Sequence, residues 1–124
     1  MGEISRFVKV NGVRVKALYD SGASNNFLSK RVADKLRLYL KGRRSFVLAD
    51  GKKVVGQVSG VWVEIDDRGG STGVVVSNIL PQDGYDLILG QEFLQDNEVE
   101  LDFADDSLRF GGHQPKVRRV GRLL

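Results

Sequence analysis

The chain has 124 residues, 41% of them hydrophobic and 28% charged, the composition of one globular domain rather than of a disordered segment. It has no cysteine and one histidine, His113, which excludes a disulfide framework, thiolate metal ligands and a cysteine nucleophile, and argues against a His-based metal cluster or a Ser-His-Asp triad. The formal charge is +3, and much of the excess lies near the end of the chain, at Lys116, Arg118, Arg119 and Arg122.

Short strand-like segments separated by tight turns follow one another. Ile4 to Val10 and Val13 to Tyr19 flank Asn11-Gly12, the strongest local signal for a hairpin, because a type I′ turn needs positive φ at both central residues. Ser29 to Leu38 reads as a short helix with Ser29 as N-cap and Val32, Ala33 and Leu36 on one face. Phe46 to Val58 reads as a second hairpin tipped by Asp50-Gly51. Val61 to Ile65 is a strand, Asp66 to Gly73 a polar, Gly-rich loop, and Val74 to Val76 and Leu87 to Leu89 are further strands. Gln91 to Asn97 can form a short helix. Val99 to Phe103 and Leu108 to Phe110 make a last hairpin around Ala104-Asp105-Asp106. The pattern predicts an all-β domain with one or two short helices. Residues 1–111 are the expected domain, and residues 112–124, rich in Gly, Pro and basic side chains, the expected flexible tail.

With thiols and histidine set aside, carboxylates are the main candidates for acid–base chemistry. The informative stretch is Leu18-Tyr19-Asp20-Ser21-Gly22-Ala23-Ser24. It places an acid at the end of a hydrophobic strand, then a hydroxyl that can fix the loop, then a glycine that permits close approach of backbone and substrate. A second signal, Tyr85-Asp86-Leu87-Ile88-Leu89-Gly90, is an apolar strand ending in glycine.

The order of these motifs resembles the single-domain aspartic proteases of the retropepsin group, and among them the proteases of Ty3/gypsy-type retrotransposons. Ala17 to Ser29 is similar to their active-site segment, Leu48-Ala49-Asp50-Gly51 to their flap tip, and Asp86 to Leu94 to their second signature. The resemblance covers about residues 4 to 110 and implies a closed, barrel-like β fold that works as a homodimer. It implies Asp20 as the catalytic acid, Ser21 as the hydroxyl that locks the two active-site loops together, and Gly22 as a backbone contact for substrate. It further implies that Ala23, Ser24, Phe27, Tyr85 and Ile88 contact substrate. Ala49, Asp50 and Gly51 would belong to a flap closing over it, and the C-terminal strands would add to the dimer interface. Many viral members carry an acid at the position of Ser24 and an arginine at that of Gln91, which pair. Here both are neutral.

Aspartic protease chemistry needs two carboxylates sharing a proton. Asp66, Asp83, Asp86, Asp96 and Asp105 lack the following Ser/Thr-Gly, so the second acid is expected from a second copy of the chain. The expected activity is hydrolysis of peptide bonds between hydrophobic residues of a peptide or polyprotein, with no metal and no cofactor. The alternative is an inactive dimer of the same fold that binds peptides. A nucleic-acid-binding domain is a weaker reading, limited to salt-sensitive contacts of the basic tail. The chain lacks the aromatic–basic motifs of the common RNA modules. No apolar run reaches the roughly 18 residues of a membrane span and no apolar stretch of a signal peptide follows Met1. The expectation is therefore a cytoplasmic protein without a membrane partner, with the inside of retroelement particles as the other setting.

Overall fold

A computed structural model describes residues 3–47, 51–66, 68–78, 80, 83–102 and 107–110. Strands β1 (Glu3–Val10) and β2 (Val13–Asp20) form the first hairpin, and Asn11 and Gly12 take φ of 47° and 88° as the turn requires. A short strand β3 (Phe27–Ser29) leads into helix α1 (Lys30–Leu36). Ser29 is its N-cap, its hydroxyl accepting from the Val32 amide at 3.3 Å. The helix stops two residues before Leu38 because Arg37 turns left-handed, φ 53°, and its amide bonds back to the last turn.

Strands β4 (Lys41–Val47) and β5 (Lys53–Ile65) make the second hairpin, and β6 (Arg68–Ser77) returns along β5. Two expectations need correction here. β5 runs without a break through Ser59-Gly60, so the segments expected as separate strands are one. The stretch from Asp66 to Gly73 is not a loop, because Arg68 to Gly73 pairs with Gly60 to Ile65. Its glycines are there for room: a β-carbon on Gly69 would strike the Trp62 ring, and one on Gly70 would strike the Asn97 amide. The chain ends its described course with β7 (Leu87–Leu89), helix α2 (Gln91–Asp96), β8 (Val99–Asp102) and β9 (Ser107–Phe110). β8 pairs with β9 alone, as the expected last hairpin. The connecting residues of that hairpin and the tail expected at 112–124 lie outside the described residues.

The main sheet runs β1-β2-β7-β3-β6-β5-β4, and β1 also pairs with β5. That extra pairing, Val10 opposite Val63, closes six strands into a barrel and leaves β4 outside as an edge. Alternation along the strands sorts side chains between two sides. Val10, Tyr19, Leu28, Val63, Val74, Leu87, Leu89 and, from α2, Phe93 form the main core. Each such side chain contributes roughly 1.5–3 kcal/mol by leaving water. The intervening residues Phe27, Val75 and Ile88 face the other way and meet Phe46, Val58 and Leu80 in a second, smaller cluster.

Candidate active site

β2 lies between β1 and β7, parallel to β7 with Leu18 opposite Ile88 and Tyr19 opposite Leu89. Tyr19 goes wholly into the core. Asp20, the next residue, therefore emerges on the side of Leu18 and Ile88, half-buried at the strand end. Phe27 stands directly opposite Ile88 on β3. The acid and two of the expected substrate-contacting side chains thus share one face of three adjacent strands.

The turn after Asp20 is tied at several points. The Gly22 amide donates to Asp20 Oδ1 at 2.9 Å, and the Ala23 amide to the Asp20 carbonyl at 3.1 Å. A β-carbon on Gly22 would sit 3.2 Å from that carboxylate oxygen, so glycine keeps the approach to the acid open. α2 holds the far side of the loop. Its Gln91 and Glu92 amides donate to the carbonyls of Ala23 (2.8 Å) and Ser24 (3.1 Å). Gln91 Nε2 donates to the Ser21 carbonyl at 2.6 Å. The neutral pair expected at Ser24 and Gln91 therefore does not leave the loop unanchored: the glutamine reaches the backbone instead of a carboxylate. Gly90 is required at this contact, since a β-carbon would collide with the carbonyls of Ala23 and Asn25.

The central residue of this arrangement is Asn26, which lies within the segment Ala17 to Ser29 but for which the resemblance implies no role. It is wholly buried. Its Oδ1 accepts from the amides of Gly90 (2.8 Å) and Phe93 (3.3 Å), and its Nδ2 donates to Thr72 Oγ1 and the Gly73 carbonyl, both at 2.8 Å. Both donors and both lone pairs are used. Gly90 offers no side chain to cap α2, and Asn26 supplies that cap from the loop. In the sequence Asn26 follows Ser24 and Asn25 in a polar run, so nothing local marks it as buried or names its partners.

Asp86 takes a different part. Ser29 Oγ donates to it at 2.6 Å and Arg31 forks onto both its oxygens at 2.8 and 2.9 Å. The Arg31 hydrogen bond, aided by Ser29 and opposed by burial, holds its carboxyl below the usual carboxylate range. It fastens α1 to the start of β7. Tyr85 is half-buried, with Lys16 Nζ over its ring at 4.7 Å from the centroid. Phe46, expected only as the start of the second hairpin, packs on Phe27 with centroids 4.7 Å apart. On the same face of β4, Arg44 pairs with Glu92 at 3.1 Å, joining the second hairpin to α2. Gly51 has φ 86°. Ala49 and Asp50 lie outside the described residues. Two cavities, of about 540 and 480 Å³, flank β4 and β5, and Asp20 lines neither. Among the described residues no three His, Cys, Asp or Glu side chains gather as a metal site.

A closed six-strand barrel carrying an Asp-Ser-Gly turn beside an Ile-Leu-Gly strand is the arrangement of the retropepsin-like aspartic proteases. Residues 7–96 match the family described as "gag-polyprotein putative aspartyl protease", and the chain belongs to that family. Its curated relatives include Protein DDI1 homolog 2 of Homo sapiens, 31% identical over 93% of this chain and 30% of that protein. DNA damage-inducible protein 1 of Candida glabrata is 29% identical over 88% of this chain and 26% of that protein. The chain thus spans less than a third of the length of these relatives. They are of Ddi1 type, not Ty3/gypsy elements. Among solved structures, equine infectious anaemia virus (EIAV) protease in complex with an inhibitor superposes with a TM-score of 0.62 at 22% identity, covering 81% of this chain and 92% of that one. The retroviral protease-like domain of Ddi1 from Leishmania major superposes with a TM-score of 0.60 at 20% identity, covering 90% of each chain. Both share the fold.

Proposed function

We propose that the chain is an aspartic endopeptidase active as a homodimer, its single site built from one Asp20 of each copy. The observation that carries this reading is the placement of Asp20. The acid is half-buried, tethered by the Gly22 amide, and set on the face that also bears Phe27 and Ile88. Asp86 is occupied by Arg31 and Ser29 and is not the second acid.

Two Asp20 carboxylates brought together across a two-fold axis cannot both ionise, so they share one proton. The ionised one takes a proton from a water, whose oxygen attacks the scissile carbonyl carbon. The protonated one gives its proton to the carbonyl oxygen, forming a gem-diol. Collapse of the diol breaks the C–N bond as the leaving nitrogen is protonated and a diol proton returns to the dyad. Ser21 reaches across to the opposite loop. Gly22, Ala23 and Ser24 offer backbone to an extended substrate. Phe27, Ile88 and Tyr85 contact its side chains, with Phe46 at the cleft wall, so cuts fall between hydrophobic residues. Ala49, Asp50 and Gly51 form the flap tip. The family supports a polyprotein as substrate. The finer affiliation with Ty3/gypsy-type elements, and a cytoplasmic setting, rest on the motif strings and the sequence alone.

The test is to incubate the protein at high concentration with a complex peptide mixture between pH 4 and 7 and to map new termini by mass spectrometry beside Asp20→Asn. Hydrophobic-flanked termini made only by the wild type support the proposal. Equal termini from both proteins, or none from a sample shown to be dimeric, overturn it in favour of a peptide-binding dimer.

A further inference from the structure

Charge along this chain is segregated. Residues 30–53 hold nine Lys and Arg against two Asp, whereas the rest of the sequence holds ten against fourteen Asp and Glu. That segment is α1, the connection after it, and the edge strand β4 with the start of β5. Three of its cations are spent on carboxylates, in the pairs Lys30–Asp34, Arg31–Asp86 and Arg44–Glu92. Lys35, Arg37, Lys41, Arg43 and Lys53 have no ion pair among the described residues.

Between α1 and β4 exposure alternates. Leu38 and Leu40 pack against the main core, while Arg37, Tyr39 and Lys41 stand outside. Tyr39 is 79% exposed, more than any other large hydrophobic side chain among the described residues. The strip continues into the 480 Å³ cavity, where Arg43 of β4 and Lys30 of α1 meet.

We propose that this strip is a binding surface for single-stranded nucleic acid, with a base stacked on Tyr39 and phosphates against Arg37, Lys41 and Arg43. Cations on an edge strand also deter strand-to-strand aggregation, and that would account for the basic residues of β4. It does not account for an exposed aromatic ring set between Arg37 and Lys41. Cations that follow a backbone, interleaved with an aromatic face, are what single strands bind without regard to sequence. An acidic polypeptide would match the cations but has no use for the ring. The site is separate from Asp20 and independent of whether the chain is a protease.

The test is fluorescence polarisation of a labelled oligo(dT) of about 12 nucleotides, within the span of known single-strand sites, titrated with the 124-residue chain over a range of salt. Tyr39→Ala should weaken binding at least about fivefold without changing the salt dependence, the loss of one stacked base. Tyr39→Phe should retain binding. The combined variant Arg37→Glu, Lys41→Glu, Arg43→Glu should lower the slope of log K against log salt by about 2, at roughly 0.7 per phosphate. Because these side chains are exposed, circular dichroism of each variant should match the wild type. The proposal is overturned if Tyr39→Ala binds as the wild type does, or if Arg118→Ala with Arg119→Ala alone abolishes binding. It is equally overturned if poly-glutamate binds as tightly with the same dependence on Tyr39, which would make the occupant an acidic polypeptide.

Discussion

Asn26 Oδ1 accepts the Gly90 amide at 2.8 Å, so the helix that follows the Ile-Leu-Gly strand is capped by the loop that follows the Asp-Ser-Gly turn. The two signatures of the family are one hydrogen-bonded unit. Truncating Asn26 to Ala would leave the Gly90 and Phe93 amides and the Gly73 carbonyl buried without partners. The expected loss is about 2–4 kcal/mol, from unsatisfied groups at 1–3 kcal/mol each with partial relaxation. Urea unfolding monitored by Trp62 fluorescence would measure it, and an unchanged midpoint would contradict the capping role.

Asp20→Asn keeps the shape of the side chain and removes the acid. Proteolysis should fall by roughly a thousandfold or more, within the range of general acid–base contributions from two coupled groups. Thermal stability and dimerisation should stay close to wild type. Sedimentation of both proteins, next to a cleavage assay, separates the chemistry from assembly.

Gln91→Leu removes the donor to the Ser21 carbonyl at nearly constant volume while leaving the backbone bonds of Gln91 and Glu92 in place. The loop should loosen rather than unfold. The expected result is a lower kcat with little change in KM, measured on any peptide the wild type cuts.

The Arg31–Asp86 pair sets an acid limit. Asp86 has its carboxyl lowered in the folded chain, chiefly by the Arg31 hydrogen bond. The unfolded chain therefore binds this proton more readily. The stabilisation is complete above the unfolded carboxylate pKa, near 4, and is lost as pH falls through the lower folded value. Arg31→Ala should flatten the acid limb of a stability–pH curve while leaving its shape above pH 6 intact. Thermal melts from pH 2 to 7 would show this.

Tyr19 presents the opposite situation. Its hydroxyl is buried with no hydrogen-bond partner among the described residues, and burial pushes its phenol well above the usual range. Tyr19→Phe removes an unpaired polar group and should leave stability unchanged or raise it by about 1 kcal/mol. A marked fall in the melting temperature would show that the hydroxyl has a partner in solution.

Much of this architecture could be read in the residues. The Asn11-Gly12 turn, the Ser29 cap and the alternation around Val15, Ala17 and Tyr19 are local signals, and each gives its element correctly. Local signals fail where distant chain supplies the partner. Arg68 to Gly73 looks like a loop because its glycines carry no hydrophobic pattern. It is a strand because β5 pairs with it and because Trp62 and Asn97 occupy the space its side chains would need. The site shows the same division. Asp20, Ser21 and Gly22 are visible as a string, and Phe27 and Ile88 follow from the resemblance. Asn26, Phe46 and the Arg44–Glu92 pair act through partners more than ten residues away, which no spacing rule reports. Nothing in the sequence marks Tyr39, because the cations beside it fit no familiar nucleic-acid module.

The distance in sequence between the loop and its anchors also orders events in time. Ala23, Ser24 and Asn26 are held by Gly90 to Phe93, and β3, which follows the loop, lies between β6 and β7 in the sheet. Contacts that close such long stretches of chain form late in folding. On a ribosome the first hairpin can form early, but the turn bearing Asp20 stays slack until α2 has emerged. A chain cut short before Gln91 would keep the local tether of Gly22 on its aspartate but lose the anchors that fix the loop in space.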